Sequence, residues 1–301
     1  MTRLIPLFLA ALLGLQDPPK RGRLGTEPRE TTGLMPLDQM TADDRYQGED
    51  GGLYGGGKNV PPDALQLRAE EELKRIAPID GRVVLLSISM SNATQEFSRF
   101  KKIADNDAAK SGSLTIVDGA QGGQAMAEWA PPDAAPWIEA ERRIKAAGVT
   151  PTQVQVAWIK LANKVPTGDL ATHGRKLQKD TQAVIKNAKA RFPNLRIVYL
   201  SSRIYGGYAA GTLNPEPYAY ESAFAARWVI QDQKDSPVVL WGPYLWADGT
   251  TPRKSDGLIW TRDDLGKDGT HPSESGKDKV ARLLLAFFKT DPLAKSWFTA
   301  R

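Results

Sequence analysis

Apolar residues in this chain fall into short unbroken runs separated by stretches where they recur every three or four positions. Residues 82–88 hold Val83, Val84, Leu85, Leu86 and Ile88 almost without interruption, the pattern of a strand buried on both faces. Similar runs at 114–117, 154–161, 195–200 and 238–241 predict four more strands. Between them the period becomes helical. Residues 63–76 offer Leu65, Leu73 and Ile76 as buried positions, and 95–104 set Phe97, Phe100, Ile103 and Ala104 on one face. Further helices are predicted at 134–147, closed by Gly148, at 170–192, stopped by Pro193, and at 218–231. The last, at 275–288, carries Val280, Leu283, Leu284, Phe287 and Phe288, with Ser273 as its expected N-cap. Strands alternating with helices predict an α/β fold: a three-layer α/β/α sandwich around a five-stranded parallel sheet. In open sheets of this kind, sites form at the carboxyl ends of the strands.

The first sixty residues depart from this alternation. Residues 4–15 are apolar apart from Pro6 and Gly14, follow Arg3, and give way to Gln16, Asp17 and two prolines. That predicts a signal peptide over 1–16, too short to span a bilayer, and hence an exported, periplasmic or extracellular protein with no stable membrane insertion after cleavage. Residues 17–60, rich in Pro, Gly and charge, read as an extended or poorly ordered arm, leaving 61–301 as the domain. Gly52 to Gly57-Lys58 is a near-miss to a phosphate loop. Asn59 stands where a magnesium-binding hydroxyl belongs, no strand precedes, and Val60-Pro61-Pro62 follows where a helix should start, so no nucleotide site is expected.

Composition narrows the chemistry. The 301 residues carry a net charge of +5 with Lys and Arg scattered, which is not the footprint of a nucleic-acid binder. Without cysteine there is no disulfide, thiolate nucleophile or thiolate-bound metal, and two histidines do not make a structural zinc site. No metal and no cofactor are expected. Asp105-Asn106-Asp107 starts like a calcium loop, but Ile116 occupies the position of its bidentate acid.

The residues that could act follow the predicted strands. Ser91 comes three residues after the first, Gly122-Gly123 just beyond the second, Asn163 at the end of the third, and Asp268 and His271 after the fifth. A serine hydroxyl needs an adjacent base to act as a nucleophile. His271 can accept its proton and return it, and Asp268 can hold the imidazole tautomer. The amides of Ser91 and Gly123 and the side chain of Asn163 could bind a developing oxyanion. Each has a plainer role open to it: Ser91 as a helix cap, the glycine pair and Asn163 as turn residues. Asn92, Gln121, Arg203, Tyr205 and Trp246 are candidate substrate-binding residues near the same edge. Trp241 and Tyr244 accompany Trp246 and could stack on sugars, or simply pack the sheet edge. His173, in a polar stretch at a helix start, is expected at the surface.

Ser89-Met90-Ser91, Gly123, Asn163 and Asp268-Gly269-Thr270-His271-Pro272, in this order after these strands, resemble the four blocks of the SGNH (GDSL-like) hydrolase superfamily over roughly residues 80–290. Ser89, Met90, Leu161 and Lys164 depart from its usual glycine, acid, glycine and aspartate. Ser91-Asn92 is similar to the corresponding block of carbohydrate acetylesterases. The resemblance implies a flavodoxin-like fold and a serine esterase with Ser91 as nucleophile and His271 and Asp268 completing the triad. It further implies an oxyanion hole from Ser91, Gly123 and Asn163, acting on a small-molecule or polysaccharide O-acyl, above all acetyl, ester. The altered first and third blocks leave open a non-catalytic carbohydrate-binding protein with the same fold, and the substrate could instead be a lipid or aryl ester.

Overall fold

A computed structural model describes residues 27–300. The expected signal peptide and the first part of the arm lie outside the described residues. The sheet is five-stranded and all parallel: β1 (Val83–Ile88), β2 (Leu114–Asp118), β3 (Val154–Lys160), β4 (Ile197–Ser201) and β5 (Val238–Trp241), in the order β2-β1-β3-β4-β5. This is the three-layer α/β/α arrangement that the alternation predicts, in the flavodoxin-like strand order that the resemblance implies. The strand order reverses between β1 and β3, so the carboxyl ends of these two strands open a crevice there.

Six of the helices fall on the predicted segments, with physical differences at their ends, and two four-residue helices, at 126–129 and 295–298, were not expected. They are α1 (Asp63–Lys74), α2 (Ser91–Asp105), α3 (Met126–Trp129), α4 (Ala135–Ala146), α5 (Arg175–Arg191), α6 (Tyr218–Gln231), α7 (Glu274–Thr290) and α8 (Lys295–Phe298). Helix α2 begins at Ser91, four residues before the predicted start, because Ser91, Asn92 and Thr94 carry no apolar signal although the backbone is already helical. A π-helical turn at Leu170–Gly174 leads into α5. Ser273 caps α7 by accepting from the Gly276 amide at 3.4 Å. Helices α2 and α7 pack on each other on one face, and α3, α5 and α6 form a row on the other, as right-handed crossovers on either side of the reversal require. In the α2/α7 layer, Trp158 of β3 stacks on Phe97 with ring centroids 5.3 Å apart, and Phe100 meets Phe288 at 5.5 Å. Leu65, Leu73 and Ile76 of the first helical segment are only partly buried, and Ala69 is the one fully buried residue of α1.

The expectation of a loose arm needs correction for residues 27–60. They form little regular structure, yet they are folded onto the domain. Leu37 and Met40 enter the core. Buried Arg227 donates to the carboxylates of Glu49 and Asp50 and to the Asp50 carbonyl at 2.6–2.9 Å, and Trp241 on edge strand β5 donates to the Leu53 carbonyl at 2.6 Å. Glycine in this segment serves close approach: a Cβ on Gly51 would lie 2.1 Å from the Met40 carbonyl oxygen. The arm thereby covers an otherwise open sheet edge.

Candidate active site

After β1 the chain turns through buried Ser89, whose hydroxyl donates to the Lys160 carbonyl at the end of β3. Met90 follows in an extended conformation as N-cap residue of α2. Ser91 is therefore the first helical residue and not the cap. Its N–H is one of the donors a helix start leaves without an intrahelical acceptor, at the end where the helix dipole favours negative charge. Its Oγ lies 2.8 Å from His271 Nε2.

The base is held by a tight loop. Asp268 Oδ2 is 2.5 Å from His271 Nδ1, while its Oδ1 accepts from the amides of Thr270 and His271, each at 3.0 Å. The Gly266 amide donates to the His271 carbonyl at 2.7 Å. Gly269, with φ +66°, packs so closely on the segment after β4 that a Cβ would sit 1.7 Å from the Tyr208 carbonyl oxygen. Only glycine fits there, which gives the Asp-Gly-Thr-His sequence its second residue. Burial alone would raise the Asp268 carboxyl. The hydrogen bonds from the His271 ring and the two amides outweigh burial and hold it below the usual aspartate value. The carboxylate thus stays ionised as a partner for an imidazolium. The side chains of His271 and Asp268 are 30% and 48% exposed, so the relay is open to solvent on one side.

The other expected site residues divide into two groups. Gly123 lies in an exposed turn at φ +73° beyond β2, and its N–H donates to no group among the described residues. Asn163 is fixed at both ends: its Oδ1 accepts from the Ala127 amide at 2.9 Å, and one amide proton goes to Asp180 at 2.7 Å. Gln121 spends its side chain on the carbonyls of Gly119 and Pro136 and its amide on the Ser89 carbonyl, pinning the β2 loop beside the nucleophile's turn.

Asn92, Arg203, Tyr205 and Trp246 are not where a substrate would meet them. All four are buried. Asn92 Nδ2 donates to the Thr270 carbonyl at 2.7 Å, and Arg203 Nη2 reaches the same oxygen at 3.4 Å. The Tyr205 hydroxyl donates to the Arg29 carbonyl in the arm, and Trp246 Nε1 donates to Glu216. Aromatic and polar residues after strands suggested an open cleft, but the arm and neighbouring loops close over them. His173 is likewise buried, its Nε2 against the carboxylate of Glu221, which also accepts from Tyr46 and Gln47 of the arm at 2.7 and 2.6 Å. Its place is a tie between arm and domain.

Sequence reasoning missed the buried ionisable residues beneath the site. Lys160 Nζ meets both carboxylate oxygens of Glu96, at 2.6 and 2.5 Å, with both side chains fully buried. Burial pushes the Lys160 amine down, Glu96 draws it back, and Arg203 pushes it down further. A lysine ending an apolar strand and a glutamate on the apolar face of α2 were the available signal. Glu216 is enclosed as well, accepting from the Gly206 amide, the Tyr220 amide and Trp246. Burial pushes its carboxyl up to about 7 against the pull of these donors. The native state therefore keeps this proton over a range where the unfolded chain, near 4.5, has lost it. Stability from this group is expected to fall as pH rises from about 4.5 to about 7, by up to about 3 kcal/mol. Urea unfolding of wild type and Glu216→Gln across that range checks this: the variant should lose that part of the slope. It should also be destabilised by about 1–3 kcal/mol, because its amide group faces backbone N–H donors.

No family model and no curated protein matches the sequence. Among solved structures, the chain is similar to the periplasmic domain of a lipopolysaccharide acetyltransferase from Salmonella ser. Paratyphi A, at 14% identity over 74% of this chain and 96% of that one, with a TM-score of 0.43. It is also similar to a protein from Arabidopsis thaliana, at 15% identity over 65% of this chain and 67% of that one, with a TM-score of 0.39. At such overlap the likeness carries no chemistry.

Proposed function

We propose that this protein is a serine esterase that hydrolyses short O-acyl esters through an acyl-enzyme on Ser91. The observation that carries the reading is the continuous relay Ser91 Oγ–His271 Nε2 at 2.8 Å and His271 Nδ1–Asp268 Oδ2 at 2.5 Å. It is assembled from the start of α2 and the loop before α7, two segments far apart in sequence. Ser91 Oγ attacks the ester carbonyl carbon as His271 Nε2 takes its proton. Asp268 stabilises the imidazolium and fixes its tautomer. The tetrahedral oxyanion is met by the Ser91 and Gly123 amides and the remaining amide proton of Asn163. Collapse expels the alcohol, which takes the proton from His271, and water repeats the sequence to release the acid.

An acetyl ester on a carbohydrate is the substrate class we favour. The exposed flank of His271 and Asp268 leaves room for a bulky alcohol. Ser91-Asn92 supports the carbohydrate side only by its resemblance to acetylesterases, since the aromatic residues proposed to stack on sugars are buried. The apolar run at 4–15 supports export, to the periplasm or beyond.

The test is a rate comparison over p-nitrophenyl acetate, butyrate and octanoate together with acetylated xylan. Falling kcat/KM with chain length and acetate release from xylan are expected. Preference for octanoate would move the substrate to lipid esters, and inertness toward every ester and toward a fluorophosphonate would overturn the esterase reading. In the same assay Asn163→Ala is expected to lower kcat about a hundredfold with a small change in KM, because its donor acts mainly in the transition state.

A further inference from the structure

We propose that Asn92 is a positioning residue that holds His271 in register with Ser91 by gripping the peptide bond between Thr270 and His271. This rests on the esterase reading and deepens it. That peptide group is held from both sides. Its carbonyl accepts from Asn92 Nδ2 at 2.7 Å and from Arg203 Nη2 at 3.4 Å. Its N–H donates to Asp268 Oδ1 at 3.0 Å. The plane that carries the Cα of His271 is thereby fixed, and the direction of the imidazole follows.

Asn92 is adjacent to Ser91 in the first turn of α2, so one helical turn presents the nucleophile and grips the base's loop. The grip is built for rigidity. Asn92 is 2% exposed and Arg203 is also 2% exposed, so water does not compete for the carbonyl. Arg203 is itself held by the hydroxyl of Ser222 at its backbone amide. Among nearby carboxylates, Glu96, Glu216 and Asp268 favour its charge against the penalty of burial. Thr270 adds an outer tie, its hydroxyl donating to the Leu213 carbonyl at 3.3 Å. A bridge between Leu265 and Pro272, with the Gly266 amide on the His271 carbonyl, closes the Asp268–His271 loop on itself, and these bonds run within the loop and not to α2. The Asn92 bond is a direct side-chain link from that helix, besides the Ser91–His271 contact itself. A displacement on the order of an ångström at this distance is enough to cost about a hundredfold in rate.

The experiment compares wild type with Asn92→Ala and Asn92→Asp. Aspartate keeps the volume but offers the carbonyl an acceptor in place of a donor. Both folded variants are expected to keep KM within about threefold and to lose about ten- to hundredfold in kcat, with the same loss in the rate of fluorophosphonate labelling at Ser91. The downfield proton of the His271–Asp268 bond should shift or broaden in the NMR spectrum of isotope-labelled protein. His271 is bonded there through Nδ1 and so is separable from His173, which bonds through Nε2. Folded variants with wild-type kcat and an unmoved proton overturn the proposal, even if their melting temperature drops. An inert wild type overturns the esterase reading alone, and the His271 proton then decides whether Asn92 positions the ring. Should Asn92→Ala not fold, Asn92→Ser, a donor of shorter reach, takes its place with the same expected losses.

Discussion

Replacing Ser91 with alanine is expected to lower kcat for p-nitrophenyl acetate by about 10⁴- to 10⁶-fold, with fluorophosphonate labelling abolished. The size follows from the part the hydroxyl plays. Without it there is no acyl-enzyme, and the residual rate comes from water attacking an ester held by the remaining oxyanion donors. The substitution is mild for the fold: Ser91 is the first residue of α2, half-buried, and its side chain caps nothing, because Met90 occupies the cap position. Alanine also suits the first turn of a helix. A loss of activity with an unchanged melting temperature therefore reports on chemistry. His271→Ala alone should cost about as much, and the double variant little more, because the two act as one unit. Full hydrolysis by folded Ser91→Ala would mean that another group is the nucleophile.

The parts of this site that could be read from the sequence are those that local chain geometry controls. Asp268, Gly269 and His271 lie within four residues, and one turn decides that aspartate and histidine share a side. Ser91 was legible because it follows an apolar run whose only stable use is a central strand, and the carboxyl ends of such strands are where sites collect. The roles of Asn92, Arg203, Tyr205 and Trp246 were not legible. A polar or aromatic residue after a strand looks the same in sequence whether it faces solvent or is roofed over. What decides is the Thr270 loop for Asn92 and Arg203, the segment carrying Glu216 for Trp246, and for Tyr205 the arm, whose Arg29 meets Tyr205 and Gly207 and whose composition of glycine, proline and charge reads as loose chain. Its order depends on partners nearly two hundred residues away, such as Arg227 with Glu49, and no local pattern encodes those. His173 was misplaced for the same reason, since the Glu221 that buries it lies on another helix.

The second large effect expected is on stability. Glu96→Gln should cost about 3–5 kcal/mol in urea unfolding, because it leaves the Lys160 ammonium buried without its counter-charge. The pair sits where α2 crosses β3, and Lys160 also gives its carbonyl to Ser89 in the turn that precedes Met90 and Ser91. Loosening it therefore loosens the helix start that presents the nucleophile. The pH dependence has a definite sign. With the Lys160 amine held below the usual lysine value, the folded chain releases that proton at lower pH than the unfolded chain does. Stability from this group thus rises with pH between the folded and the unfolded value. Removing Glu96 takes away the charge that draws the amine back up, so in the variant this rise should begin at lower pH and extend over a wider range. Replacing both partners, Glu96→Leu with Lys160→Met, removes the buried charges together and should restore most of the loss, since an apolar pair of similar volume escapes the cost of desolvation. If the single variant were as stable as wild type, the pair would contribute nothing to holding α2 on β3. If the double variant were no better than the single one, packing, and not the uncompensated charge, would be the cause.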